Sequence, residues 1–544
     1  MMEFQNYIYV QIVFLFGVLL FLGREILLAK KKSDSAERKQ LYILQLILLV
    51  GVLVRLVNLS YPFGVYVDEA MGAYDSWSLA NFGVDSNLAS YPVYLKSWGT
   101  GQSVLYAYLA LPFIKVFGLS AAVYRLPMSL VGCFSLLFFY FTLRKTQSNT
   151  LLVFCVTAFL AIAPWHIIKC RFGLDCNIFP DLLLIGICFI VLAYTRLASR
   201  TRDLLYVFGF SVLAISAYGY GVSWFMLPFL YLILVVYLFK TKSISKKATS
   251  FSILISFILI LPLLLFAISL LTGGDQYQIG SITITKLETG RHNETTLMGA
   301  SDKFATLLSY LGDSFRLFFW GIDNATINSF YPYGVFYNLI SLPILGIGMY
   351  YAYKEKSFFS IIFFFVLISS IPILLLVEPS IWRWNVLWFP LIYFIGYGIF
   401  KLCTTKLHRR VIFSIYILLF LNFIYIYSNN KGFVPFYSDN YGEELKFAQT
   451  LDIDKVYYPG NMTQAEALFY HPIDPAVFAK TRQDEGWPIK VTRSYDNVVI
   501  GLPDSIEPYP RTAYVVLTED LKYIDPSKFK IRKGKYYYSV IWND

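Results

Sequence analysis

Asp68 and Glu69 are adjacent carboxylates that follow an apolar run at 41–59, inside the segment Tyr61-Pro-Phe-Gly-Val-Tyr-Val-Asp-Glu-Ala70. Charge held at the end of an apolar run is costly, so a pair kept there points to use. Carboxylates so placed suit proton transfer or the binding of a hard cation. Tyr74, Asp75, Tyr94, Lys96 and Trp98 follow in the same stretch. A second cluster, Pro164-Trp-His-Ile-Ile-Lys-Cys-Arg-Phe-Gly-Leu-Asp-Cys-Asn177, sets His166, Arg171, Asp175 and Asn177 between two apolar runs. A third sets Glu378, Trp382, Arg383, Trp384 and Asn385 between two more. Acids, an imidazole and guanidinium groups together can move a proton and hold an anion, and short loops tie them closely to their helices.

Each of these residues also has a plainer role. Asp68 can cap a helix beginning near Ala70, and Asp175 and Asn177 can cap one beginning at Ile178. Arg125 and Arg171 can meet lipid headgroups. His166 reads as an interfacial hydrogen-bonding group, and Trp382 and Trp384 read as membrane-belt aromatics. The catalytic reading gains because acid, base and arginine recur at three places that the topology below puts on one side.

The elements that carry these clusters are membrane spans. Apolar residues make up 57% of the 544 and charged residues only 15%, which excludes an ordinary soluble protein. Twelve spans are expected, near 7–28, 41–59, 122–143, 150–167, 177–196, 203–220, 224–239, 251–271, 334–353, 357–377, 384–400 and 411–428. A helix needs about 20 residues to cross the hydrocarbon. With that count the basic connectors at 30–39, 144–145, 196–202, 240–247, 354–356 and 401–410 all fall on one side, the cytoplasm by the positive-inside rule. Both termini and the three clusters then lie outside. The apolar segment 104–119 is short and contains Pro112 and Lys115, so an interfacial or re-entrant helix is expected there.

The net charge of +11 reads as loop bias, not as a nucleic-acid footprint. The six cysteines form no CxxC pair, so neither a disulfide framework nor a zinc site is expected. Basic residues follow the first apolar run instead of preceding it, unlike a cleaved signal. Outside the membrane, 429–544 changes composition. Strands are expected at 455–458, 497–502, 513–517 and 536–541, and helices at 442–450 and 463–470, which makes a small α/β domain.

The stretch 54–132 resembles the start of the catalytic region of GT-C glycosyltransferases, nearest the branch of protein O-mannosyltransferases and lipid A aminoarabinose transferases (glycosyltransferase family 39-like). The likeness rests on Asp68-Glu69, on Tyr94-Leu95-Lys96, and on Phe117-Gly118 with Arg125-Leu126-Pro127-Met128-Ser129. Ala163-Pro164, Arg171, Asp175, Asn177 and Pro180 resemble that family's second outer loop, and Arg383 with Pro390 a late helix start. Lys96 departs from the pattern, being followed by Ser97-Trp98 where the family has prolines, and an extra span precedes the helix leading to Asp68.

The resemblance implies an α-helical polytopic membrane protein of GT-C type, with about 12 transmembrane helices and a small C-terminal extracytoplasmic α/β domain. Residues 1–40 would be the extra helix and its basic loop, 41–428 the catalytic membrane domain with outer loops 60–121 and 272–333, and 429–544 the soluble domain. It implies transfer of a sugar from a polyprenyl-phosphate donor to an extracytoplasmic acceptor by an inverting displacement. The setting would be a bacterial plasma membrane and the acceptor an envelope glycan; a protein hydroxyl, as in protein O-mannosylation, is the alternative. In that reaction Asp68 is the base, while Glu69 orients the acceptor or helps to hold a metal. Asp175 completes a divalent-cation site (magnesium or manganese) with Asp68, and Lys96, Arg171 and Arg383 receive the donor phosphate. Tyr94, His166, Asn177 and Glu378 are further pocket candidates, and the loop 272–333, with His292, Trp320 and Asp323, covers the acceptor side.

Two readings of other classes compete. A transporter or flippase of lipid-linked sugars would put ionisable groups near the bilayer midplane and show repeated halves, whereas here the acids cluster outside and no repeat is found. A non-catalytic envelope scaffold would explain 429–544 but leaves Asp68-Glu69 without a task.

Overall fold

The computed structural model describes residues 6–197, 199–290, 295–322, 333–429, 441–487 and 490–543. The chain divides into two compact units, each assembled from three stretches: Met1–Val57, Pro127–Leu264 and His292–Asn429 in one, Asn58–Leu126, Leu265–Arg291 and Asn430–Asp544 in the other.

The first unit is helical and built for a bilayer. Eight helices of the chain are long and apolar enough to cross one: Ile8–Lys30, Ser35–Leu56, Ala121–Thr146, Asp175–Tyr194, Lys246–Thr272, Phe358–Leu376, Asn385–Leu402 and Lys406–Asn429. All eight coincide with expected spans, and the chain is a multi-pass membrane protein. The other four expected spans are also helices, Thr150–Ile162, Arg200–Ser216, Leu227–Lys240 and Asn338–Glu355, but these are shorter or less apolar. Small residues let backbones approach. A Cβ on Gly348 would collide with the carbonyl oxygen of Phe394, and one on Gly398 with that of Ile344, so helix Asn338–Glu355 packs against helix Trp388–Leu402 through paired glycines.

The second unit combines loops and short helices with a sheet. Helix Val67–Phe82 carries the acidic pair in its first turn and ends at Gly83, whose φ of 75° provides the left-handed C-terminal stop. A hairpin of β1 (Tyr94–Ser97) and β2 (Thr100–Ser103) follows, then helix Leu105–Phe117 where the short apolar segment was noted. Strands β3 (Tyr277–Ile279) and β4 (Ile282–Ile284) form a second hairpin, whose Thr283 carbonyl accepts from Val93 N–H at 3.0 Å.

The C-terminal strands are β5 (Lys455–Tyr458), β6 (Gln483–Glu485), β7 (Val491–Tyr495), β8 (Val498–Ile500), β9 (Thr512–Leu517), β10 (Lys530–Lys533) and β11 (Tyr538–Asn543). They form one sheet in the order β10-β11-β9-β5-β8-β7-β6, in which β5 runs parallel to both its neighbours. All four expected strands and both expected helices (Gly442–Ala448 and Gln464–Tyr470) are present; β6, β7, β10 and helix Pro475–Thr481 were not anticipated. One face buries Leu445, Val456, Leu468, Phe478, Tyr495 and Val515, and Tyr74 of the acid-bearing helix belongs to that same core. Its hydroxyl donates to the Ile473 carbonyl at 2.8 Å.

Gly348→Leu forces the paired helices apart. We expect a loss of about 1–3 kcal/mol or more, read as a lowered melting temperature of the detergent-solubilised protein.

Candidate active site

Glu69 and Arg125 form a buried, two-pronged ion pair. Arg125 Nε donates to Glu69 Oε1 at 2.8 Å and Nη2 to Oε2 at 2.7 Å, with both side chains fully buried. The same guanidinium donates to the carbonyls of Leu59, Pro62 and Gly64, and Glu69 Oε2 also accepts from Tyr66 N–H at 3.2 Å. Glu69 is therefore a positioning group. Both its oxygens accept from Arg125, where orientation of an acceptor or a share in a metal site was expected. Arg125 is likewise no headgroup contact.

Asp68 lies half-buried inside the first turn, past the N-cap at Tyr66, and Gln102 Nε2 donates to its backbone carbonyl at 3.3 Å. An acid in a first helical turn is stabilised as the carboxylate by the helix dipole. Seven residues on, Asp75 Oδ1 accepts from Ser86 N–H, and Asp85 Oδ1 accepts from the N–H groups of Asn87 and Ala89. The Oδ2 atoms of Asp75 and Asp85 are buried with no partner among the described residues. Burial, then the charge of Asp85, pushes Asp75 up to about 7; burial pushes Asp85 up to about 6.

Lys96 is ion-paired but partly accessible. Its ammonium pairs with Glu288, which also pairs with Lys490 at 3.3 Å. Tyr94 stacks on Phe266 with ring centroids 4.8 Å apart.

The remaining expected residues lie in the other unit. Arg171 is buried, and its Nη1 donates to the carbonyls of Val54 and Val57, closing the end of helix Ser35–Leu56. Nη1 is thus engaged by the backbone, where a phosphate or headgroup contact was expected of this residue. Asp175 Oδ1 accepts from Cys176 N–H at 2.8 Å, and Asn177, at the N-cap position, donates instead to the Phe172 carbonyl at 3.0 Å. Arg383 pairs with Glu378, both partly accessible. Trp382 and Trp384 are buried, not belt residues, and Trp384 donates to the Val377 carbonyl at 3.2 Å. Asp68 and Asp175 fall in different units. His292 and Asp323 lie outside the described residues, and Trp320 is exposed.

His166 is fully buried in a network that the sequence did not reveal. Arg55 Nε donates to His166 Nδ1 at 3.0 Å, which leaves the proton on Nε2 to reach Asp181 Oδ1 at 3.1 Å. Lys169 pairs with the other Asp181 oxygen, and Ser135 donates to Oδ1 at 2.6 Å. His166, Cys170 and Asp181 each offer one donor atom within 4.8 Å of one another. They do not suit a metal as arranged, since Nε2 carries a proton and the carboxylate already answers Lys169, His166 and Ser135. Asp181 inside an apolar run was the available signal for this network.

No protein-family model and no curated protein matches the chain. Among solved structures it resembles ArnT from Cupriavidus metallidurans bound to undecaprenyl phosphate, at 12% identity and TM-score 0.53, over 91% of this chain and 97% of that one. The apo state of the same protein matches at 12% identity and TM-score 0.52, over 93% and 98%. The likeness is one of fold, and it extends across nearly the whole chain.

Arg125→Ala strands Glu69 as an unpaired buried charge, with an expected cost of about 3–5 kcal/mol in thermal unfolding. The Asp75–Asp85 pair holds protons more tightly when folded than its ordinary value of 3.8 allows. Stability should therefore fall as pH rises from about 4 to 7 and the pair is forced to ionise. Asp75→Asn should flatten that profile in melting curves taken across the same range.

Proposed function

We propose that this chain transfers a sugar from a polyprenyl-phosphate carrier to an envelope glycan on the outer face of a bacterial plasma membrane, with Asp68 as the general base. The observation that carries this reading is a half-buried carboxylate in a first helical turn, locked in register by the buried Glu69–Arg125 pair beside it. It occurs in a chain that shares its fold with a protein solved with undecaprenyl phosphate bound. The basic connectors argue for the orientation, since their placement puts the segment carrying Asp68 outside.

In the proposed step Asp68 takes the proton of an acceptor hydroxyl as that oxygen bonds to the anomeric carbon. The bond from the anomeric carbon to the phosphate oxygen breaks, and the carrier phosphate leaves with the electron pair. Single displacement inverts the anomeric centre. Arg383, partly accessible beside Glu378, is the proposed phosphate ligand, because its planar fork matches phosphate oxygens. A magnesium or manganese ion at the Asp68 carboxylate would supply further charge neutralisation for the leaving group.

The test is transfer of labelled hexose from polyprenyl phosphate in membranes holding wild type or Asp68→Asn. We expect the variant to melt as wild type does and to lose roughly 10²–10⁴ of the transfer rate. Undiminished transfer would remove Asp68 from the chemistry. The envelope fraction that receives label identifies the acceptor, glycan or protein.

A further inference from the structure

Beside the acid-bearing helix lies a cavity with about 60 Å³ open to the centres of water molecules, room for several waters or for one sugar ring in their place. Its walls come from helix Val67–Phe82, the β1–β2 turn and the C-terminal domain, all within one compact unit. Three cations line it: Lys96, Arg482 and Lys490. Lys96 and Lys490 share the single carboxylate of Glu288, so that side of the cavity carries one positive charge in excess. Arg482 donates to Asn87 Oδ1 at 3.0 Å and lies 3.5 Å from Asp484. Gln464, only 8% exposed, lines the cavity with an Oε1 that has no hydrogen-bond partner among the described residues. A buried amide oxygen in that state is stabilised by any ligand that brings a donor.

Trp98 adds an independent sign of use. It has a φ of +57° beside Gly99 at +81°, so both central residues of the hairpin turn are left-handed. Asparagine or glycine relaxes in that conformation, whereas tryptophan is strained there. The half-buried indole nevertheless lines the cavity, with the Phe478 ring also in its wall. Aromatic faces with amide and ammonium groups between them form a surface for a polar ring that carries negative charge.

We propose that this cavity binds an acidic sugar residue of the acceptor glycan. Trp98 lies against the sugar ring, Gln464 accepts from a ring hydroxyl, and Lys96 and Lys490 take up the carboxylate or phosphate substituent. The assignment to an acceptor rests on the transferase reading above. Met71, also in the wall, follows Asp68 by one helical turn, so a glycan held here runs beside the proposed base. The C-terminal domain thereby becomes part of substrate recognition.

The experiment is calorimetric titration of the full-length protein in detergent with a glucuronate hexamer, a neutral glucose hexamer and inorganic phosphate. We expect the glucuronate hexamer to bind at least about tenfold more tightly than the other two, and Lys490→Ala and Arg482→Ala each to weaken it roughly tenfold or more. Trp98→Asn should weaken it as well while the melting temperature holds or rises, which separates a lost ligand from a lost fold. Equal affinity for the two hexamers, binding of phosphate as tight as the hexamer, no binding of any probe, or indifference to Lys490→Ala and Trp98→Asn would each overturn the proposal. Asp68→Asn should bind the hexamer as wild type does. Failure here leaves the base assignment standing, and full transfer by Asp68→Asn would leave this cavity standing.

Discussion

The fork between Arg125 and Glu69 organises the segment on which the proposed chemistry rests. The loop before helix Val67–Phe82 has no ladder of its own, so its buried carbonyls need donors. One guanidinium satisfies three of them, at Leu59, Pro62 and Gly64. A guanidinium buried to that degree needs a carboxylate, and Glu69 supplies it in the bidentate geometry that matches the fork. Neighbouring positions on a helix differ by about 100° in direction. With Glu69 turned to the buried arginine, the acid one residue earlier is committed to a different side. The acidic pair is thus one carboxylate that holds and one held.

The same physics recurs in the other unit. Arg55 is anchored by the carbonyls of Gly51, Leu160 and Ala161, and its remaining donor fixes the tautomer of His166. Asp181 answers Lys169 and His166 together. Among apolar helices, charged groups persist only when partners surround them, and such closed networks hold helix ends in register. His166, which resembles catalytic equipment in the sequence, sits inside that network, and Arg171 bonds the end of helix Ser35–Leu56.

Much of the fold was legible because membrane spans and strands are written in local composition. Eight apolar helices and four C-terminal strands follow directly from runs and alternation. Of the three strands missed, Gln483–Glu485 and Lys530–Lys533 are polar with largely exposed faces, and Val491–Tyr495 has Thr, Arg and Ser between its end residues, so none carries a clear hydrophobic period. The site was less legible, because residue type says what a group can do and not what already occupies it. Lys96 and Arg171 have the right chemistry for an anion, but the sequence does not reveal that Glu288 pairs with the one and two backbone carbonyls accept from the other. Glu288 lies 192 residues beyond Lys96, and no spacing rule connects the two.

Tyr74 explains why the tail and the acidic helix belong to one body. Its ring is part of the sheet's core and its hydroxyl is bonded to the Ile473 carbonyl, so the middle of the helix is fixed to the C-terminal domain. Arg125 fixes the beginning of the same helix to the preceding loop. Two anchors on one short rigid element leave its first turn little freedom to tilt, which is the preorganisation a proton-transfer group needs. The fold thus gives the C-terminal domain a mechanical part in holding Asp68, in addition to any surface it offers to a glycan.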